Sequence, residues 1–515
     1  MDVEGAVFYE IASGDPGRVA FAGAGERVTY GQVHDEVNRL TRALRRLGLG
    51  VGDTVATLLG NRREFLTVLL AGAQAGFYIV PVSRHLKAPE IAYILADSAA
   101  KVLVTEHAYA GEATAAADEA GLARDVRVSV DAADGYVGLD ALLSGESPQP
   151  PDGRVMGTLM LYTSGTTGRP KGVRRPLVEI SPELLFTLLL KSVGGNLGLE
   201  PGDEVHLAVG PLYHSAPCVH ALMALNLGHT VVVSEHFDPE QTLDLIERHR
   251  VTNTFMVPTM FHRMLALPKE TRDRYDLSSL RQVFHSAAPV PVDTKRRMLD
   301  WWGPVIHEYY GSTESGPVVV AGPREWLRHP GTVGRAVPGH DVKIFDESGT
   351  ELPPGEPGMI YVRGHTPFEY HGDPGKTARS MLGEYYTPGD IGHLDEDGWL
   401  YMSDRRTDLI ISGGVNIYPA EVESVLLQHP AVADVAVIGV QDDEWGQKVV
   451  ALVEPVPDAV PGDALADEIL AHCESRLARL KHPRELEFRT SLPRTPAGKL
   501  SRGRVRDAYL REKGG

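Results

Sequence analysis

Cysteine is scarce in this chain. Cys218 and Cys473 lie far apart among 515 residues, so they build neither a disulfide framework nor a zinc spacing. A reducing, cytoplasmic setting is therefore expected. Positive charge is also short, with 51 Lys and Arg against 69 Asp and Glu and a formal net charge of −18. General nucleic-acid binding wants a basic face, so that class is disfavoured. An anionic ligand would need a locally basic pocket. The N-terminal stretch MDVEGAVFYE lacks the basic region of a secretory signal. Charge-free runs long enough to cross a bilayer are almost absent. The exception, FLTVLLAGAQAGFYIVPV from Phe65 to Val82, contains Gly72, Gln74, Gly76 and Pro81. It reads as a buried helix stopped by Gly76 and followed by a strand from Phe77 to Val82, so no integral membrane segment is expected.

Several catalytic fingerprints are missing as well. There is no G-x-S-x-G nucleophile elbow and no H-E-x-x-H. The nearest dinucleotide candidate, GAGERV at Gly23, lacks the third glycine, which leaves an oxidoreductase reading without support.

What is present is an ordinary globular composition, 43% apolar, with length enough for two to four domains. From Thr29 to Leu47, Val33, Val37, Leu40, Leu44 and Leu47 form one helical stripe. Thr29 and Gln32 fit a capping box at its start. Strands are expected at 54–59, 101–105, 204–210 and 254–257, with a helix at 241–249. This is the α/β alternation of mostly parallel sheets. Beyond about residue 330 the texture turns Gly- and Pro-rich between alternating strands, which predicts β-hairpins, with ESGTELPPGEPG carrying the turns. Further on, a helix is expected at 420–428, strands at 432–440 and 448–453, and a second helix at 463–480. These make a separate α+β unit, with the boundary in the polar run Ser403 to Asp408.

The stretch YTSGTTGRPKG at 162–172 follows the apolar Leu159-Met160-Leu161. Gly165 and Gly168 can take positive φ and turn backbone N–H groups inward to bind an anion. Thr163, Ser164, Thr166 and Thr167 add hydroxyls, and Lys171 adds a full charge. It is not a Walker A loop, because Pro170 stands where the second glycine would be. A plain surface turn is the bland alternative.

The order of motifs decides between these readings. YTSGTTGRPKG is followed by PLYHSAP at 211–217, HSAAP at 285–289, YYGSTESG at 309–316, YTPGDIG at 386–392, DRRTDLIISGGVNIYPAEVE at 404–423 and PRTPAGKLSR at 493–502. In this order they resemble the adenylate-forming superfamily of AMP-forming acyl- and aryl-CoA synthetases, luciferases and peptide-synthetase adenylation domains. The resemblance spans nearly the whole chain. It implies a large N-terminal domain at 1–404 of mixed, mostly parallel sheets flanked by helices, with a β-rich subdomain at about 330–404. It also implies a small mobile α+β C-terminal domain at 405–515.

The resemblance further implies an ATP-dependent acid–CoA ligase. A carboxylate attacks the α-phosphate of ATP, pyrophosphate leaves, and the acyl-adenylate passes to the CoA thiol. Thr163 to Lys171, including Ser164, Gly165, Thr166, Thr167 and Gly168, would hold the β- and γ-phosphates, with Thr163 counted among the catalytic residues. Glu314 would bind Mg²⁺. Thr313 would bond the α-phosphate, with Ser312 beside it. Tyr310 and Gly311 would border the adenine, and Ala287, Ala288 and Pro289 would form its other wall. Asp390 would take the ribose hydroxyls, assisted by Arg405. Lys499 would bridge the incoming carboxylate and the α-phosphate. His214, Ser286 and Gly311 would face the acid, although a packed structural role for His214 stays open. Ser412, Gly413 and Gly414 would line the CoA tunnel. Thr407 stands at the hinge, where the family usually has Lys or Asp.

PLYHSAP lacks the Phe-Asp of amino-acid-activating domains, which disfavours an α-amino acid. Other readings stay open. The acceptor or acid could differ (a carrier-protein thiol, an amine, nitrite as the acid), or the chain could be an inactive nucleotide sensor. A homodimer is also left open.

Overall fold

The computed structural model describes residues 7–23, 25–163, 170–364, 366–405, 408–412, 415–442, 445–474, 476–477, 479–494 and 500–513. Two large sheets carry the N-terminal four-fifths of the chain. A six-stranded sheet runs, edge to edge, Val137–Gly138, Arg127–Ser129, Ala100–Thr105, Thr54–Leu58, Tyr78–Pro81 and Thr158–Leu159, and every pairing in it is parallel. Parallel strands need covered faces, and Thr54–Leu58 is buried along its whole length.

The helix Tyr30–Arg46 forms for the reason its spacing gives. Val33, Val37, Leu40 and Leu44 are buried, and Thr29 and Gln32 make the reciprocal capping box. The uncharged run resolves into the helix Arg63–Ala75, a left-handed Gly76 at φ 75° and the strand Tyr78–Pro81. Among the described residues no helix is long and apolar enough to cross a membrane.

The second sheet has 15 strands. Its parallel part is Val19–Gly23, Thr230–Val233, Val205–Ala208, Asn253–Met256, Gln282–His285 and Ile306–Ser312. From Gly316–Ala321 onward the pairings turn antiparallel. The expected hairpin appears as Asp341–Phe345 against Gly358–Arg363. Asp346 holds its turn by accepting from the Ser348 and Thr350 amides, both at 2.8 Å.

A third sheet, of five strands, lies in the last hundred residues and centres on Val432–Asp442 against Gly446–Pro455. The helices there are Pro419–Leu426, Asp463–Glu474 and Arg502–Lys513. The second is shorter than the 463–480 expected. The Arg476 and Leu477 amides both donate to the Cys473 carbonyl, and Arg479–Lys481 is a separate 3-10 turn.

Both cysteines are free and buried. Burial pushes the Cys218 thiol up to about 12 and the Cys473 thiol up to about 11, so neither is a thiolate nucleophile at neutral pH.

One buried ion pair ties two strands of the parallel sheet to the helix over them. Lys295, on the helix Val292–Trp302, is fully buried and donates to Glu308 at 2.5 Å. Its ammonium also lies 4.8 Å over the Trp326 ring. His285, opposite Glu308 in the parallel register, brings Nε2 to 3.4 Å from the same carboxylate. Burial pushes Lys295 down and Glu308 up in pKa, and each partner opposes the other's shift. Removing one partner strands the other charge. Lys295→Met is expected to cost about 3 kcal/mol of stability, and Lys295→Met with Glu308→Leu to recover most of it. Urea unfolding of both variants checks this, and a single variant as stable as the parent would contradict it.

Candidate active site

The parallel strands of the large sheet all point the same way, so the segments after their C-terminal ends gather along one edge. Ligands of open α/β sheets bind at such an edge. His214 follows Val205–Ala208, Ser286 to Pro289 follow Gln282–His285, and Tyr310 to Glu314 close Ile306–Ser312. The sequence motifs are brought together this way although 72 positions separate His214 from Ser286 and 24 separate Ser286 from Tyr310.

Around YYGSTESG the chain makes a tight, bulged turn. The register shifts between Tyr310 and Gly311 against Gly316–Ala321. A Cβ on Gly311 would sit 1.9 Å from the Gly316 carbonyl oxygen, so no side chain fits. Ser312 and Ser315 tie the turn, with Ser312 N donating to Ser315 Oγ at 3.1 Å. Gly311→Ala is expected to open this bulge, lowering the melting temperature and weakening AMP binding about tenfold or more, since strain at a functional turn falls on the ligand it shapes. Calorimetric AMP titration checks it, and parent-like affinity would contradict it.

Glu314 is buried at 6% exposure. Its Oε1 accepts from the Tyr370 hydroxyl at 2.9 Å. Among the described residues its other oxygen takes no hydrogen bond. Arg175 braces the same turn, donating to the carbonyls of Thr313 at 2.7 Å and Glu314 at 2.9 Å. No group of three or more His, Cys, Asp or Glu gathers as a metal cage among the described residues. A single carboxylate suits a hard ion that takes its remaining ligands from phosphates and water.

Tyr310 donates to Asp390 Oδ2 at 2.9 Å, and both residues are buried. Asp390 opens the strand Asp390–Leu394, where its register partner is Arg405. Ala287 holds φ +77°, a left-handed conformation that costs a non-glycine residue energy and marks a functional turn. His214 caps the helix Ser215–Asn226. Its ring centroid lies 4.5 Å from that of Tyr213. On the buried face of that helix, His220 stacks at 5.0 Å on Phe255 and 5.9 Å from Tyr309, with Phe284 at 5.2 Å. Burial lowers its pKa to about 3, so it is neutral.

The phosphate-loop motif is the open end of a hairpin. Leu161–Thr163 pairs with Lys171–Arg174, with Thr163 opposite Lys171. The sequence shows an apolar run, Leu159 to Leu161, before the loop but gives no sign of the strand after it. Ser164, Gly165, Thr166, Thr167 and Gly168 lie outside the described residues. A third strand, Glu369–Tyr370, pairs with Val173 and Arg174. It joins the hairpin to the very tyrosine that bonds Glu314.

In the C-terminal unit Ser412 is buried at the end of Ile410–Ser412. Gly413, Gly414, Thr407 and Lys499 lie outside the described residues, as does the Arg405 side chain. A bridge between Arg494 and Leu500 closes the stem of the segment that carries Lys499. Arg494 is fixed by Asp434 at 2.6 Å.

Arg175 and Tyr370, which hold the Thr313–Glu314 turn and the Glu314 carboxylate, are residues that sequence reasoning missed. The Arg174-Arg175 pair shortly after Lys171 was the one signal that pointed to Arg175.

A lysine-bearing hairpin, the buried carboxylate of Glu314 and the buried carboxylate of Asp390 are thus linked to the ends of the parallel strands. The chain belongs to the AMP-binding enzyme family, which matches residues 8–369, with the AMP-binding enzyme C-terminal domain matching 421–499. It is 37% identical over 500 residues to the feruloyl-CoA synthase of an Amycolatopsis species, covering 96% of each chain. It is 35% identical over 507 residues to the indoleacetate–CoA ligase of Aromatoleum aromaticum, covering 97% of this chain and 96% of the relative. The anthranilate CoA ligase AuaEII, solved with anthranoyl-AMP, superimposes with a TM-score of 0.88 at 27% identity over 100% of both chains. The protein is an AMP-forming acid–CoA ligase: it uses ATP to make an acyl-adenylate and passes the acyl group to CoA.

Proposed function

We propose that the acid is an aryl or arylalkyl carboxylate, activated on Mg·ATP. The observation that carries this reading is the aromatic bed of His220, Phe255, Phe284 and Tyr309. It packs between the strands whose ends hold Ser286 and Gly311 and the helix that begins after His214. A flat, apolar substrate suits aromatic faces and edges. The aryl acids named for the relatives and for AuaEII support it.

In this reading two anions meet, and the protein supplies compensating charge and fixed geometry. Lys499 neutralises the carboxylate–phosphate approach. Thr163, the loop residues 164–168 and Lys171 hold the departing pyrophosphate. Glu314, with one oxygen pinned by Tyr370, holds Mg²⁺, which neutralises phosphate charge when bound. Thr313, on the turn Arg175 braces, bonds the α-phosphate. Asp390, oriented by Tyr310, takes the ribose with Arg405. Ala287 to Pro289 and Tyr310–Gly311 enclose the adenine. The C-terminal unit, 405–515, turns about Thr407 relative to 1–404, so that Ser412 to Gly414 line the path of the CoA arm. His214 borders the acid.

Pyrophosphate release measured over ferulate, indole-3-acetate, anthranilate, octanoate and acetate, with CoA present, tests the substrate class. The aryl acids are expected to exceed the aliphatic ones in kcat/KM by about tenfold or more, the scale of apolar pocket discrimination. Preference for octanoate or acetate would overturn it.

A further inference from the structure

We propose that Lys376 is a second triphosphate-binding lysine, its ammonium taking the β- and γ-phosphates alongside Lys171. This rests on placing the triphosphate at the mouth of the 161–174 hairpin. The strand Glu369–Tyr370 is hydrogen-bonded to that hairpin, and the His371 amide donates to the Gly172 carbonyl at 2.8 Å. The next element, the short helix Pro374–Arg379, is fixed back onto the strand. Asp373 accepts from the Lys376 amide at 2.9 Å, and the Tyr370 amide donates to Thr377 Oγ1 at 2.9 Å. Lys376 is thus carried on the same frame as the phosphate hairpin.

Its side chain is half-buried, with Nζ 3.8 Å from the centroid of the Tyr370 ring. Tyr370 therefore shows its face to the ammonium and its hydroxyl to Glu314. Among the described residues the ammonium makes no ion pair and no hydrogen bond. Burial lowers its pKa first; Glu314 and Asp373 raise it and Lys171 lowers it further, so the charges acting on it include those of the phosphate mouth. In a chain with 18 excess negative charges, this mouth gathers Lys171, Arg175 and Lys376 around Glu314. A polyanion completes such a cluster. A cation resting on a tyrosine for stability alone would not need Lys171 and the hairpin beside it.

The test is calorimetric titration of the full chain with Mg·α,β-methylene-ATP and with AMP. Lys376→Met is expected to weaken the triphosphate analogue about tenfold or more, the worth of a hydrogen bond to a charged group, and AMP by less than about twofold. Lys376→Arg should retain most of the affinity. Equal weakening of both ligands, or an unchanged analogue affinity, overturns the assignment. Lys171→Met separates the two levels. If it weakens the analogue while Lys376→Met does not, Lys376 alone is misassigned. If neither does, the placement of the triphosphate at this mouth fails. Repeating the titrations in EDTA keeps the result independent of Glu314 and magnesium: the Lys376→Met deficit should persist there.

Discussion

Lys499→Ala is expected to slow acid-dependent adenylation by about 10²-fold or more, while conversion of a supplied acyl-adenylate to the thioester should keep most of its rate. The size follows from removing one strong donor to developing charge in a site that excludes water. The asymmetry follows from the chemistry. Only the first half-reaction forces a carboxylate onto a phosphate, and only that step needs a compact cation on a flexible stem between them. The stem of the segment is anchored by the Arg494–Leu500 bridge and the Arg494–Asp434 ion pair, so the substitution leaves the C-terminal unit folded. Separate assays of the two half-reactions check it. Equal loss in both would mean that Lys499 does not bridge carboxylate and phosphate.

Glu314→Gln is the second large effect. The amide keeps an oxygen for the Tyr370 hydroxyl and nearly the same volume, so the turn braced by Arg175 should persist. What disappears is the charge. Adenylation is expected to fall about 10²- to 10³-fold, the range for losing one electrostatic stabiliser of the transition state. The Mg²⁺ concentration for half-maximal rate should rise. A magnesium titration of the variant, with its melting temperature as a control on folding, checks both. A parent-like magnesium curve would show that the carboxylate serves structure alone.

Much of the fold was legible because its causes are local. A threonine three residues before a glutamine announced the helix at Tyr30, and Gly76 stopped the uncharged helix where its φ of 75° requires. The candidate site was legible wherever a residue is singled out by its own motif, as Glu314 and Asp390 are. What stayed hidden are the braces between motifs. Arg175 reaches across 138 positions to Thr313, and Tyr370 across 56 to Glu314. Neither lies in a patterned stretch, since hydrogen-bond partners that meet only through sheet topology leave no periodicity to read. The strand Lys171–Arg174 was missed for a related reason. Two of its four residues are cationic, one is glycine, and its pairing comes from the strands on either side. The distal end of the helix at 463 was overread because the apolar spacing of Ile469, Cys473, Leu477 and Leu480 continues past Glu474, where the helix ends.

Whether this chain couples ATP cleavage to thioester formation is decided by product analysis of the purified protein with ATP, Mg²⁺, CoA and ferulate, by mass spectrometry. AMP, pyrophosphate and thioester are expected in equal amounts, with an acyl-adenylate that builds up when CoA is left out. ADP with phosphate in place of AMP, or AMP formation that ignores whether any acid is present, would contradict the assignment.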